Sequence, residues 1–276
     1  MSARIHKLNR PWVAAAAMAA VAGGLSAVSP PSHAGVDPEL VCPRSTTTET
    51  VAEPERLITK FDLTVFRIEF ETHQKVLDVV RKWAGQVRVG FVETPDRYRA
   101  LVGRVVHDLS CLTGLQVYLQ EEPRLDSNFL VIMSTRDDLD AYAREKQVDV
   151  ESLTSLFCTM TPGLEYAPRE ANEPFAAIGV VDFLSEAETR HCFVRLMTRA
   201  LGLFADSDVV QPSVFSADGA KLDHLPINDK IILRTLYDPR IERGMKREDA
   251  MDIARQIIPE LVKAVRERGV EALYRR

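Results

Sequence analysis

The sequence lacks the short motifs that mark the common hydrolases and nucleotide-binding enzymes. It contains no G-x-S-x-G, no phosphate-binding G-x-x-x-x-G-K-[ST] and no G-x-G-x-x-G. Its six histidines never occur as H-x-x-x-H, and its four cysteines never occur as C-x-x-C. The usual spacings of a zinc site are therefore missing as well.

Acidic residues are absent from the start of the chain, since the first is Asp37. An apolar run, WVAAAAMAAVAGGLSAV, follows three basic residues, Arg4, Lys7 and Arg10. Small residues, Ser32 and Ala34, then stand at the −3 and −1 positions of a cleavage site. This order predicts a secretory signal peptide over residues 1–34 and a bacterial periplasmic or secreted protein. The alternative is an N-terminal membrane anchor, which fits less well with the glycines and prolines that end the run.

Basic charge is in short supply, because the formal net charge is −5. Removal of the signal peptide takes away three basic residues and no acidic ones, which brings the net charge to −8. Sequence-independent nucleic-acid binding needs a basic surface, so nucleic acid is excluded as a partner. No second apolar run is long enough to cross a bilayer, and no stable membrane span is expected after signal cleavage.

All four cysteines lie after the signal peptide, and an even number in an oxidising compartment favours disulfides over a catalytic thiol. Three pairings are possible. Cys158 precedes an apolar predicted strand and Cys192 lies in the helix after it, so we predict a Cys158–Cys192 bridge. The remaining pair, Cys42 and Cys111, gives the second predicted bridge.

The hydrophobic pattern alternates between helical and strand periods. Residues 35–56 form a Thr-, Glu- and Pro-rich arm, and the spacing from Leu57 to Trp83 is mostly helical. Three strands are predicted in QVRVGFVE, LQVYLQ and NFLVIMS, with a helix between the first two that is capped by Thr94 and ends at Gly114. Alternating strands and helices predict an α/β domain with a mixed sheet over residues 57–245.

The second half continues this pattern. A polar helical stretch leads to the apolar strand EPFAAIGVVDFL. Ser185 and Glu188 then form a capping box that starts a helix ending at Gly202. A short helix, DKIILRTLY, follows. Residues 246–276 are predicted to be a C-terminal helical extension that Pro259 kinks or breaks.

The end of the capped helix has the frame of a zinc protease without its ligands. RALGLFADSD contains the Ala-Leu-Gly-Leu that follows H-E-x-x-H in many secreted metalloproteases. At the ligand, base and third-ligand positions this chain has Arg195, Leu196, Arg199 and Ala205, and only Gly202 is kept. Arginine has no lone pair to offer a metal, so we expect no metal at these residues and no cofactor.

Two later segments add to the resemblance. PSVF, Pro212 to Phe215, is similar to the Met-turn of metzincins with Phe in place of Met, and Leu225 to Tyr237 resembles the matrixin helix that follows. With LGLFADSD and LRTLYDPRIERGM, these segments carry a resemblance to a bacterial family, the domain of unknown function 2927. The resemblance covers Leu57 to Ala250, and this family looks like a degenerate metzincin. That family commonly has Glu, Glu and Gln where this chain has Arg, Leu and Arg. The resemblance implies a fold and a periplasmic setting, with no established activity.

Arg195 and Arg199 share one helix face, which in a metzincin forms the floor of the substrate cleft. Two guanidinium groups there are suited to bind a carboxylate or a phosphate. The other interpretation is that both arginines pair with Asp206, Asp208 or another acidic side chain and hold the following loop in place, and such ordinary ion-pair networks are more common than binding sites.

The histidines support a rival hypothesis. His191 precedes Arg195 by one helical turn, and His224 precedes the matrixin-like helix, so a relocated metal site that includes Asp206 or Asp208 is conceivable. Isolated histidines are more often ordinary surface or core residues. The sequence therefore favours an inactive binding or scaffolding module for a peptide or an acidic ligand, and the alternative is a hydrolase with a relocated metal.

Overall fold

The computed structural model describes most of the chain from Glu49 onward. The described residues are 42, 49–70, 73–120, 126–137, 140–141, 144, 158–162, 176–182, 184–216 and 221–275. The predicted signal peptide lies outside them, as do most of the predicted arm and most of the polar helical stretch between residues 134 and 157. Those predictions stay predictions.

Five of the described strands form a mixed sheet: β3 (Val87–Val92), β4 (Val117–Gln120), β5 (Phe129–Ser134), β6 (Cys158–Pro162) and β7 (Ala176–Val181). Their order across the sheet is β4-β3-β5-β7-β6. Four of them run parallel, and β6 runs antiparallel to β7 at one edge. Val89 lies opposite Phe129, which lies opposite Ala176, so buried side chains line up across the middle of the sheet. This confirms the predicted α/β fold with a mixed sheet.

Of the helices in the described part of the chain, two lie against the sheet and three more complete the core. Helix α2 (Asp96–Thr113) contacts β4, and α3 (Glu186–Ala200) contacts β6, β7 and α2. Helices α1 (Pro54–Phe66), α4 (Ile227–Leu236) and α5 (Arg247–Arg268) pack on one another, and α4 also contacts α2. A short 3₁₀ helix, Val270–Leu273, packs on α5. All of these elements contribute side chains to one apolar cluster.

Helix α2 follows the predicted pattern in its apolar face and in its end. The predicted stripe is buried: Tyr98, Leu101, Val102, Val105, Val106 and Leu109. Gly114 adopts a left-handed φ of 75° and its N–H donates to Ser110 O, as a C-terminal glycine cap should. The predicted N-cap is wrong. Thr94 Oγ1 donates to the carbonyls of Val92 and Val131, so it ties the helix start to the sheet and leaves the first-turn N–H groups uncapped.

The prediction of helix from Leu57 to Trp83 is wrong beyond Phe66. Helix α1 ends there, and an antiparallel hairpin follows, formed by β1 (Arg67–Phe70) and β2 (His73–Val76). Leu77, Val80 and Trp83 are buried from an irregular segment. Their spacing of three residues is typical of a helix, but the structure has no helix there.

Helix α5 passes through Pro259, so the predicted break is wrong. Proline removes one backbone donor and leaves the carbonyl four residues earlier without its helical partner. Pro259 and Arg255 both lie on the exposed side of the helix, where water can satisfy that carbonyl. The buried side continues with Ile257, Ile258 and Val262, so packing on the core keeps the helix continuous.

Candidate functional site

The helix that carries the candidate site, α3, starts at a complete capping box. Ser185 Oγ accepts from the N–H of Glu188, and the Glu188 carboxylate accepts from the N–H of Ser185 at 3.0 Å. Lys221 also binds this carboxylate, and the bonds from Lys221 and Ser185 lower the pKa of Glu188 to about 2. The predicted capping box is confirmed, and it fixes where the helix begins.

The other end of α3 is fixed by a close backbone approach. Gly202 has a φ of 117°, and a Cβ at this position would lie 2.5 Å from Arg81 O. Trp83 Nε1 donates to Ala200 O at 2.8 Å, and Tyr237 Oη donates to Leu201 O at 2.8 Å. The Ala-Leu-Gly-Leu frame is therefore explained by packing: the last carbonyls of α3 bind aromatic donors, and only glycine fits against the Arg81 backbone.

Arg195 and Arg199 lie one turn apart on α3 and converge on Asp206. Arg195 Nη2 donates to Asp206 Oδ2, and Arg199 Nη2 lies 3.4 Å from Asp206 Oδ1. The three side chains are 22%, 17% and 19% exposed, so they lie at the edge of the core with limited access to water. Arg195 Nε is buried without a hydrogen-bond partner.

Asp208 does not belong to this cluster. Its carboxylate accepts from Ser216 Oγ at 2.5 Å and from Gln211 Nε2 at 3.0 Å. It thus closes the loop that contains the PSVF segment. Leu196 and Ala205, the other two zinc-frame positions, are buried and apolar. Of the predicted site residues, the structure brings together Arg195, Arg199 and Asp206.

The two candidate histidines have separate environments. His191 Nδ1 lies 3.1 Å from both the N–H and the carbonyl oxygen of Leu222. Burial lowers the His191 pKa, with a smaller effect of Arg195 in the same direction, although the backbone bond to Leu222 opposes them. His224 lies between Asp223 and Glu49, 2.9 Å and 3.1 Å from their carboxylates. Burial lowers the His224 pKa, but the bonds to both carboxylates outweigh burial and raise it overall. Within the described part of the chain, no group of three or more His, Cys, Asp or Glu side chains has metal-site geometry.

One buried cluster beneath the PSVF segment was not predicted. Lys60 Nζ lies 2.5 Å from Asp229 Oδ1, and both side chains are fully buried. Ser213 Oγ accepts from Lys60 and donates to Asp229, whose carboxylate also accepts from the N–H of Val214. The sequence contains a feature that could have predicted this buried charge, because Lys60 lies on the apolar stripe of α1 between Leu57 and Phe61.

Disulfides constrain two of the elements. Cys42 and Cys111 form a bridge with Cα atoms 5.8 Å apart, which confirms that prediction. Cys192 in α3 is also disulfide-bonded. The side chain of Cys158 lies outside the described residues, and the Cys158–Cys192 pairing stays a prediction. None of the described helices is both long and apolar enough to span a bilayer.

Comparison with known proteins gives a family. The mixed sheet, the capped helix and the glycine turn define the class as an α/β domain with a polar cluster on one helix. A family model described as "Protein of unknown function (DUF2927)" matches residues 54–256, and the chain belongs to that family. No curated protein and no solved structure matches the chain.

Proposed function

We propose that this protein is an exported binding module with a degenerate metzincin-like fold, and that it binds acidic, carboxylate-bearing peptides at the Arg195–Arg199 face of α3. The export half of the proposal is supported by the order of charge, apolar run and small residues before Gly35. The fold half is supported by a mixed sheet, an adjacent helix that ends at Gly202, and the PSVF segment held by Asp229.

The observation that carries the binding proposal is the state of Arg195. Its Nη2 binds Asp206, but its Nε is buried without a partner, and a second guanidinium approaches the same carboxylate. A buried guanidinium N–H without an acceptor is costly. A carboxylate that entered from the exposed side would accept from the Arg195 Nε–H group and would add negative charge beside the two arginines that approach Asp206.

Metal-dependent hydrolysis is the alternative hypothesis. Arginine cannot ligate zinc at neutral pH, and Leu196 offers no general base where the zinc frame has Glu. A relocated site would need three or more ligands from other positions. Elemental analysis of the purified mature protein decides: one tightly held zinc per chain would replace the binding proposal with the hydrolase hypothesis.

The binding proposal is tested with Arg195→Gln and a matched control on the same helix, Arg190→Gln, whose partner Glu186 is exposed. A fluorescein-labelled oligoglutamate peptide is titrated against each protein, and binding is followed by fluorescence anisotropy. Loss of a charge-assisted hydrogen bond of about 1.5–3 kcal/mol predicts roughly 10- to 100-fold weaker binding for Arg195→Gln. Arg190→Gln should change affinity less than about twofold.

A second variant separates binding from folding. Arg195→Lys keeps the positive charge beside Asp206 but loses the planar fork that binds a carboxylate in two places. It should fold with nearly wild-type stability and still bind the peptide several-fold more weakly. If wild-type protein shows no peptide binding while both Arg195 variants unfold at lower urea concentrations, the pair is purely structural and the proposal is wrong.

A further inference from the structure

A second cluster of positive charge lies at the C-terminal end of α4. Lys82 Nζ donates to the carbonyls of Leu236, at 2.9 Å, and Ile241. Arg275 Nη2 donates to Tyr237 O. Cations at a helix C-terminus satisfy the last carbonyls and the negative end of the helix dipole. Arg234, in the last turn of α4, adds a third cation to the same place.

The tail of the chain holds Arg275 in position. Its backbone N–H donates to Cys111 O at 2.8 Å, next to the Cys42–Cys111 bridge. Its side chain passes over Gly114, where a Cβ would lie only 2.8 Å from Arg275 Cδ. Gly114 therefore serves twice, as the cap of α2 and as the space through which Arg275 reaches α4. Arg275 is therefore held in place by both its backbone and its side chain.

These cations are only partly neutralised by nearby carboxylates. Asp238 forms an ion pair with Arg234 at 3.7 Å but accepts a closer bond, at 2.9 Å, from Arg240. Arg240 is shared in turn with Glu260, and Glu242 acts on Lys82 only through its field. Arg234 Nη1 and Arg275 Nε are both buried without a hydrogen-bond partner.

The ionisation of the cluster reflects this crowding. Burial lowers the pKa of Lys82 to about 8, and Arg275 adds to the effect. Burial and then Arg275 also lower the pKa of Arg234. Cations that disfavour one another, with N–H groups that lack acceptors, are stabilised by a bound anion.

We propose that Lys82, Arg234 and Arg275 form a binding site for a phosphate group. The three donors come from different parts of the fold, an arrangement that suits a tetrahedral oxyanion better than a planar carboxylate. Asp238 already provides the carboxylate that pairs with Arg234. Arg234 is 17% exposed, and Lys82 and Arg275 are half-buried, so the cluster lies at the edge of the core, next to the surface. The phosphate belongs either to the free ion or to a phosphomonoester on a larger ligand.

The first test uses the reactivity of Lys82 in the mature protein. A neutral amine is acylated, whereas a protonated one is not, and a bound anion raises the pKa of Lys82 and slows its labelling. At pH 8 and constant ionic strength, inorganic phosphate should slow acetylation of Lys82 at least threefold relative to chloride, as read by peptide mass spectrometry. Exposed Lys263 serves as the internal reference, because phosphate should leave its rate unchanged.

Variants assign the effect to the cluster. Arg234→Gln should abolish phosphate protection of Lys82, whereas Arg255→Gln, which removes an exposed cation paired with Asp252, should keep it. Arg195→Gln should also keep it, because that residue belongs to the α3 face. Protection lost in Arg195→Gln, or unchanged in Arg234→Gln, would overturn the proposal. Failure of peptide binding at α3 would leave this result intact, so the two sites are tested separately.

Thermal unfolding supplies a readout that does not depend on labelling. Phosphate should raise the wild-type Tm by at least about 2 °C more than it raises that of Arg234→Gln, because the variant keeps only the general stabilising effect of phosphate on folded proteins. Without phosphate, Arg234→Gln should melt no lower than wild type, since the substitution relieves repulsion between cations. A clear drop in Tm would mark Arg234 as a structural residue and count against the site.

The source of the phosphate group is tested by comparing two ligands. Protection of Lys82 at lower concentrations by glycerol phosphate than by inorganic phosphate would identify a phosphorylated ligand, and the reverse would identify the free ion.

Discussion

At the scale of single residues, Lys60 and Asp229 decide whether α1, α4 and the PSVF segment stay together. Both side chains are fully buried, and burial raises the pKa of Asp229 although the Lys60 ammonium opposes this. Lys60→Met would leave a carboxylate without its countercharge in the core. We expect it to lower the free energy of unfolding by about 3–5 kcal/mol, measured by urea denaturation.

An exposed ion pair that also involves the start of α1 provides the control. Arg266 and Glu53 join α5 to the start of α1 at 2.7 Å, with both side chains about half exposed or more. Arg266→Gln should cost less than about 1 kcal/mol, because water screens the pair. Equal losses in Lys60→Met and Arg266→Gln would show that the buried pair contributes nothing beyond a surface contact.

The two histidines are expected to give opposite pH dependences. The folded pKa of His191 lies below 6.5, so its contribution to stability is complete above pH 6.5 and is lost as the pH falls. The folded pKa of His224 lies above 6.5, so its contribution is complete below pH 6.5 and is lost as the pH rises through the folded value.

Urea unfolding of His191→Gln, His224→Gln and wild-type protein from pH 5 to pH 8 checks both signs. The difference between wild type and His191→Gln should grow with pH up to about 6.5, and the difference for His224→Gln should shrink above it. Arg195 and Lys221 act on His191 in the same direction as burial, and Asp206 opposes them. Parallel curves for the two variants would refute the assignment.

For single residues, the sequence predicts which side chains carry a function better than it predicts which side chains they contact. It identifies Arg195 and Arg199 as a pair that meets Asp206 or Asp208, because one helical turn and a short loop bring them together. It leaves open Asp206 or Asp208, since the choice depends on where Ser216 and Gln211 lie after the loop folds. The Lys82 cluster was missed, because its members come from positions 82, 234 and 275, and only tertiary structure joins them.

At the scale of elements, the end of α3 depends on Gly202. A Cβ there would meet the Arg81 carbonyl, a backbone atom that cannot move without shifting the segment that holds Trp83. Gly202→Ala should therefore cost about 3 kcal/mol or more, from left-handed strain plus overlap. Gly244→Ala isolates the strain alone, since its φ is 83° with no atom within 4 Å, and should cost about 1 kcal/mol. Similar melting temperatures for the two variants would remove the close approach as the reason for glycine.

Element boundaries were predicted well where local chemistry sets them and poorly where packing does. The capping box of α3 and the glycine cap of α2 were both found from the sequence, because each is a contact within a few residues. The end of α1 at Phe66 was missed, and so was the continuity of α5 through Pro259. In these two cases packing against the core sets the boundary of the element. The hairpin after α1 buries Ile68, and the exposed Pro259 leaves the buried face of α5 intact.

At the scale of the whole molecule, the Cys42–Cys111 bridge joins the arm to α2 beside the docked tail. Tail residue Arg275 donates its N–H to Cys111 O, so the arm, α2 and the C-terminus meet at one place. The bridge spans 69 residues of sequence, and restricting the unfolded chain over such a loop is worth about 4 kcal/mol. Cys42→Ser should lower the free energy of unfolding by about this amount.

A double variant tests whether the loss comes from the bridge itself. The bridge breaks once, so Cys42→Ser/Cys111→Ser should lose nearly the same free energy as either single change, measured by urea denaturation under non-reducing conditions. Losses that add would instead assign the effect to packing of each sulfur, most of all the buried Cys111. The same variants should slow labelling of Lys82 in chloride, because release of the tail removes the Arg275 charge that lowers the Lys82 pKa. They should also weaken the protection of Lys82 by phosphate, because Arg275 is one of the three proposed phosphate donors. Unchanged labelling would show that the tail docks without the bridge.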